Sequence, residues 1–168
     1  MRVKFELQME FGQSPIRSLY INPKSKNSLE QLIAALKEIY CNEDYNEKIF
    51  RIIKKYLPNI DYNNGRPGMN LWTIFVLGQV RMCLGTNYCM LHHLANNDLL
   101  LRKLLGINDT FCEETIEFEY QNIYDNVSKL SEAMLVEINA VIVEFGHGEV
   151  FKKKDTTALR LKTDSWHC

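Results

Sequence analysis

The stretch Leu71–Leu84, LWTIFVLGQVRMCL, limits what this chain can fold into more than any other. Leu71, Trp72, Ile74, Phe75, Val76, Leu77, Val80 and Leu84 leave almost no polar side on a helix, and a helix apolar all round must be covered by others. Asn70 before it supplies an N-cap and Gly85 after it a left-handed stop. Two shorter helices are predicted to follow at once. Residues 88–95 place Tyr88, Leu91, Leu94 and Ala95 on one face. Residues 98–105 carry Leu99, Leu100, Arg102 and Lys103 and stop at Gly106. Two short helices across a tight polar turn, backed by a buried one, have the layout of a helix-turn-helix, which presents a helix to DNA. A packed helical bundle with no nucleic-acid role has the same pattern.

Helices are predicted on both sides of this centre. Ser28 and Gln31 form a capping-box pattern ahead of a stripe of Leu29, Leu32, Ile33, Leu36, Ile39 and Tyr40. Asp44 and Glu47 repeat that pattern before a second helix with Tyr45, Ile49, Ile52, Ile53, Tyr56 and Leu57 inward, ended by Pro58. Lys48, Arg51, Lys54 and Lys55 lie off that stripe, as a phosphate-binding face or simply a wet one. Residues 59–69 read as loop, and residues 107–118 as an acidic connector containing Cys112, Glu113 and Glu114. A helix over 119–130 turns Tyr120, Ile123, Tyr124, Val127 and Leu130 inward. Ser131 caps another, which buries Leu135, Ile138, Val141 and Ile142 and stops at Gly146-His147-Gly148.

The two ends differ from this helical middle. Val3, Phe5, Leu7, Met9 and Phe11 alternate with polar residues at the period of a half-buried strand. With no partner strand nearby, residues 1–27 equally read as an arm lying on the bundle. Thr156 to Thr163 also alternates, with β-branched threonines, and a lone strand needs a sheet to satisfy its backbone. The fold expected is therefore mainly α: a helical bundle over residues 28–148 with a helix-turn-helix-like segment, then a short vestigial β strand or hairpin in residues 149–168.

Charge is uneven. Residues 1–106 hold 14 Lys/Arg against 9 Asp/Glu, residues 107–150 hold Lys129 against 10 acids, and residues 151–168 hold 5 bases and 2 acids. A nucleic-acid partner would meet the first and last segments, because phosphate binding gathers Lys and Arg on one surface. Five cysteines without a CxxC pair read as reduced thiols, and no signal peptide or bilayer-spanning run is visible, so the cytoplasm is the expected location and no membrane partner is expected. Cys83, Cys89, His92 and His93 match no standard zinc spacing. A Cys89–His92 nucleophile lacks a visible orienting group.

Several ordered blocks carry a family resemblance: WTIFVLGQVRMCLGTNY, LHHLANNDLLLRKLLG, IYDNVSKLSEAMLVEINAVIVEFGH and LRLKTDS. From Gly68 to Ser165 the chain resembles the N-terminal portion of bacterial insertion-sequence transposases. The similar group is the ISNCY-type, within the DDE class with an RNase H-like catalytic domain. The resemblance implies a helical region that recognises the element's terminal repeats, followed by a catalytic sheet. It makes Asp164 the first of three catalytic acids. Cutting a phosphodiester in this class uses two divalent ions, Mg²⁺ or Mn²⁺, held by several fixed carboxylates. Only the first of those acids stands in this sequence, so the expectation is a relic site, no cofactor and no cleavage, in a transposase truncated before its catalytic core. Under this reading DNA contacts come from Arg66, Arg81, His92, His93, Asn96, Asn97, Arg102 and Lys103. The alternative function is a non-catalytic interaction or inhibitor module that joins full-length transposase or a second copy. A broken gene product and an unrelated helical bundle are the remaining readings.

Overall fold

A computed structural model describes residues 16–57, 69–107 and 117–163, with side chains described to residue 148. The expected N-terminal strand, Arg66, the connector residues Cys112, Glu113 and Glu114, and Asp164 lie outside the described residues. Within them the chain is mainly helical. After a 3-10 turn at Ile16–Ser18 come α1 (Ser28–Cys41), α2 (Glu43–Tyr56), α3 (Leu71–Leu84), α4 (Tyr88–Asn97), α5 (Leu99–Leu104), α6 (Tyr120–Val127) and α7 (Glu132–Thr163).

α3 is the axis of the bundle. Every residue from Leu71 to Val80 is buried, as an all-apolar helix requires. It packs against α1, α4 and α6. Asn70 caps it, its side chain accepting from the Thr73 amide at 2.7 Å. Gly85 ends it at φ 61°, a left-handed conformation that suits a residue without a Cβ. Trp72 packs on Tyr40 with ring centroids 5.0 Å apart, and its indole N–H donates to the Leu104 carbonyl at 2.9 Å. That bond ties α3 to the end of α5 and satisfies a donor that would otherwise be buried unpaired.

α1 buries Leu29, Ile33, Leu36 and Ile39, and α2 buries Ile49, Phe50 and Ile53. Their caps lie one or two residues before the expected ones. Asn27 Oδ1 accepts from the Leu29 amide and Asn42 Oδ1 from the Tyr45 amide. In runs of Asn, Ser and Asp several side chains can cap, and the backbone path selects among them. α6 departs from its predicted face: Ile123 and Val127 are buried, but Tyr120 and Tyr124 are exposed.

The C-terminal stretch corrects the expected strand. α7 continues through Gly146 and Gly148 to Thr163, so residues 156–163 are helical and no strand occurs among the described residues. A lone strand leaves its backbone groups without partners, whereas a helix satisfies them within itself. Ala158, Leu159, Arg160, Leu161 and Lys162 are also good helix formers. Packing on α2 carries α7 past its glycines: Phe145 meets Tyr45 edge-on at 5.0 Å, and a Cβ on Gly148 would lie 3.6 Å from the Tyr45 hydroxyl. No helix among the described residues is long and apolar enough to cross a membrane.

Candidate nucleic-acid interface

The three helices of the central stretch are joined as tightly as predicted, but their roles differ from the expected ones. Only Asp98 separates α4 from α5, and its carboxylate caps α5 by accepting from the Leu101 amide at 2.8 Å. The longer turn, Gly85-Thr86-Asn87, lies between α3 and α4, where Asn87 caps α4 through the Met90 amide at 2.8 Å. A short glycine-containing turn thus leads from buried α3 into α4, and α5 behind them buries Leu101, Arg102 and Leu104.

Burial separates the candidate contacts into two sets. Arg102 is 3% exposed. Its Nη1 donates to the carbonyls of Asn96 at 3.3 Å and Ala95 at 3.5 Å. The last carbonyls of a helix have no partner inside it, and a cation there also opposes the helix dipole. Arg102 is therefore corrected from a DNA contact to a buried cap on α4. His92 and Asn96 are likewise committed inward. The Phe118 carbonyl accepts from His92 Nε2 at 2.9 Å and from Asn96 Nδ2 at 3.0 Å, while Asn96 Oδ1 accepts from the Phe118 amide at 2.8 Å. These two side chains fix the segment leading into α6 and are half-buried, so they too leave the set of direct contacts.

The second set faces outward. His93 and Asn97 lie one turn apart on the exposed side of α4, and the Asn97 amide donates to the His93 carbonyl at 2.8 Å. Lys103 is exposed on α5. Arg81 is exposed at the end of α3, its guanidinium 4.4 Å from the centre of the Tyr88 ring. A planar guanidinium on an aromatic face loses less entropy when it binds a phosphate than a free one. From Leu71 to Ile107 the sequence has one acid, Asp98, already used as a cap. α4 itself thus carries no acid, and the exposed cations Arg81 and Lys103 stand on the helices before and after it, while the segment joined to it at Phe118 carries the exposed Glu117 and Glu119.

Sequence reasoning did not find the aromatic cluster beside this face. Tyr88 meets Tyr124 edge-on at 4.8 Å, and Tyr120 stacks on Tyr124 with planes 18° apart. Helical spacing shows that two tyrosines share a face; it does not show whether a neighbour covers that face.

Two of the four cations on the basic face of α2 are spent on α7. Lys48 bridges Glu144 at 3.0 Å and Lys55 bridges Glu137 at 2.8 Å, with the Tyr56 hydroxyl donating to the same Glu137 oxygen. Arg51 lines a cleft of about 540 Å³ with Asp44 and Glu47, a mixed-charge surface that does not favour phosphate. Cys83 and Cys89 are exposed free thiols. Among the described residues no three His, Cys, Asp or Glu side chains are gathered as a metal site.

Compared with family models, curated proteins and solved structures, the chain matches none.

Proposed function

We propose that this chain binds DNA as the helical, end-recognising part of a DDE-class insertion-sequence transposase. The observation that carries the proposal is the exposed side of α4, a helix without acids that follows buried α3 across a glycine turn, with Arg81 and Lys103 exposed on the helices before and after it. In this reading α4 enters the major groove, whose width admits a helix. His93 and Asn97 reach base edges, and Asn97 suits adenine, which offers an acceptor and a donor side by side. Arg81 and Lys103 contact phosphates and set the register. The ordered sequence blocks that resemble the transposase N-terminal region support the same reading.

Binding of the full chain to a labelled duplex from the end of its own element, against a shuffled duplex of equal composition, tests it. Lys103→Ala is expected to weaken binding to both duplexes alike and to lower the salt slope by about 1. Asn97→Ala is expected to narrow the preference for the end sequence by about 1–3 kcal/mol. Equal affinity for both duplexes, unmoved by either substitution, would remove α4 from any recognition role.

A further inference from the structure

Successive residues of an α-helix stand about 100° apart around its axis. On α4 the buried side chains are Leu91 and Ala95, about 40° from each other. Opposite them, within an arc of about 60°, stand Met90, His93 and Asn97, all exposed. His92 and Asn96, which hold Phe118 between Glu117 and Glu119, lie to one side of this arc.

The outermost positions of a surface helix are ordinarily polar, and His93 and Asn97 conform. Met90 does not. It is 48% exposed, and what Asn87 holds is its backbone amide, not its side chain. A single exposed apolar residue is ordinary on a protein surface. Met90 is set apart by its place, in line with Asn97 and seven residues before it, about 10.5 Å along the helix axis. Base pairs follow one another at about 3.4 Å, so a helix lying along the groove sets these two side chains about three base pairs apart. In the major groove the base edges offer hydrogen-bond donors and acceptors and one apolar group, the C5-methyl of thymine. A methionine side chain, unbranched and polarisable, can shape itself to such a group without needing a polar partner.

We infer that Met90 is a specificity-determining residue, packing its thioether on the C5-methyl of a thymine about three base pairs from the adenine read by Asn97. The inference rests on the proposed entry of α4 into the major groove and adds to it a second base read on the same arc. His93 stands between the two.

Removing the methyl alone isolates the contact. Each thymine of the labelled end duplex is replaced in turn by deoxyuridine, which keeps its base pairing, and affinity is followed by fluorescence anisotropy at one salt concentration. Burial of a single methyl corresponds to about fourfold in affinity. The parent chain is expected to lose about that factor at one thymine. Met90→Ala should bind the thymine and uracil duplexes equally, whereas Asn97→Ala should keep the difference. The melting temperature of Met90→Ala should match that of the parent, because the side chain lies on the surface. A parent chain that prefers the end duplex to a shuffled one yet ignores every methyl would overturn the inference and leave the DNA reading standing. A difference that persists in Met90→Ala would do the same. A parent chain with no preference for the end duplex would contradict the DNA reading itself, and this inference with it.

Discussion

Arg102 Nη1 donates to the carbonyl oxygen of Asn96 at 3.3 Å, so the guanidinium of α5 closes the C-terminal end of α4. Its neighbour in sequence, Lys103, is exposed. Adjacent cations on one short helix thus have opposite duties, the first holding the bundle and the second facing solvent.

This division makes the two residues separable by experiment. Arg102→Ala strands buried carbonyls and removes a packed stem, and is expected to cost about 2 kcal/mol or more in urea unfolding. Arg102→Lys should recover little of it, because one ammonium cannot match the fork of a guanidinium. Lys103→Ala should change stability by less than about 0.5 kcal/mol. Equal losses for both alanines would contradict the assigned geometry.

Trp72 offers a second separation, between burial and hydrogen bonding. Trp72→Phe keeps most of the apolar volume but leaves the Leu104 carbonyl without its 2.9 Å donor, and is expected to cost about 1–3 kcal/mol. Trp72→Ala also opens a cavity at the centre of the core and should cost about 3–5 kcal/mol. Both are read from the same denaturation curves.

Gly78 is where α3 admits the α6–α7 turn. A Cβ there would lie 2.1 Å from Leu130 Cδ1, well inside contact distance. Gly78→Ala gains about 1 kcal/mol of helix propensity but must push Leu130 aside, and overpacking costs about 1–3 kcal/mol. A net loss is expected. It should shrink when Leu130→Ala is present, and a double-mutant cycle would report the coupling.

Acid should loosen α7 from α2. Lys55, then Tyr56, hydrogen-bond the Glu137 carboxylate and hold it below the ordinary carboxylate value near 4.5. A lowered folded value means the stabilisation is full above that ordinary value and fades as pH falls through the lowered one. Lys55 is raised by the same bond, so its share is present below its ordinary value near 10.5 and is lost as pH rises through the raised one. Melting temperatures from pH 7 down to pH 2 should fall less steeply for Glu137→Gln than for the parent chain. Because the pair is exposed, the difference at neutral pH should be small.

The parts legible in the sequence are those where one physical demand dominates. α3 is readable to both ends because no other arrangement hides eight large apolar side chains, and Asn70 and Gly85 fit only as its caps. Periodicity ranks faces but cannot show what lies against them, so Arg102 read as a surface cation and Tyr120 and Tyr124 as core residues. The alternation in 156–163 spans only about two helical turns, too few for periodicity alone to separate strand from helix; propensity and self-satisfied backbone bonds favour helix. His92 and Asn96 meet Phe118 across more than twenty residues of chain, a distance over which local spacing carries no information.

The central claim is that the outer face of α4 contacts DNA. Backbone amide chemical shifts of the labelled chain, followed while the end duplex is added, test it most directly. The account predicts that perturbations concentrate at Arg81, His93, Asn97 and Lys103 and decline as salt is raised. Saturating DNA that leaves these four amides unmoved would contradict it, as would shifts confined to α2 and α7.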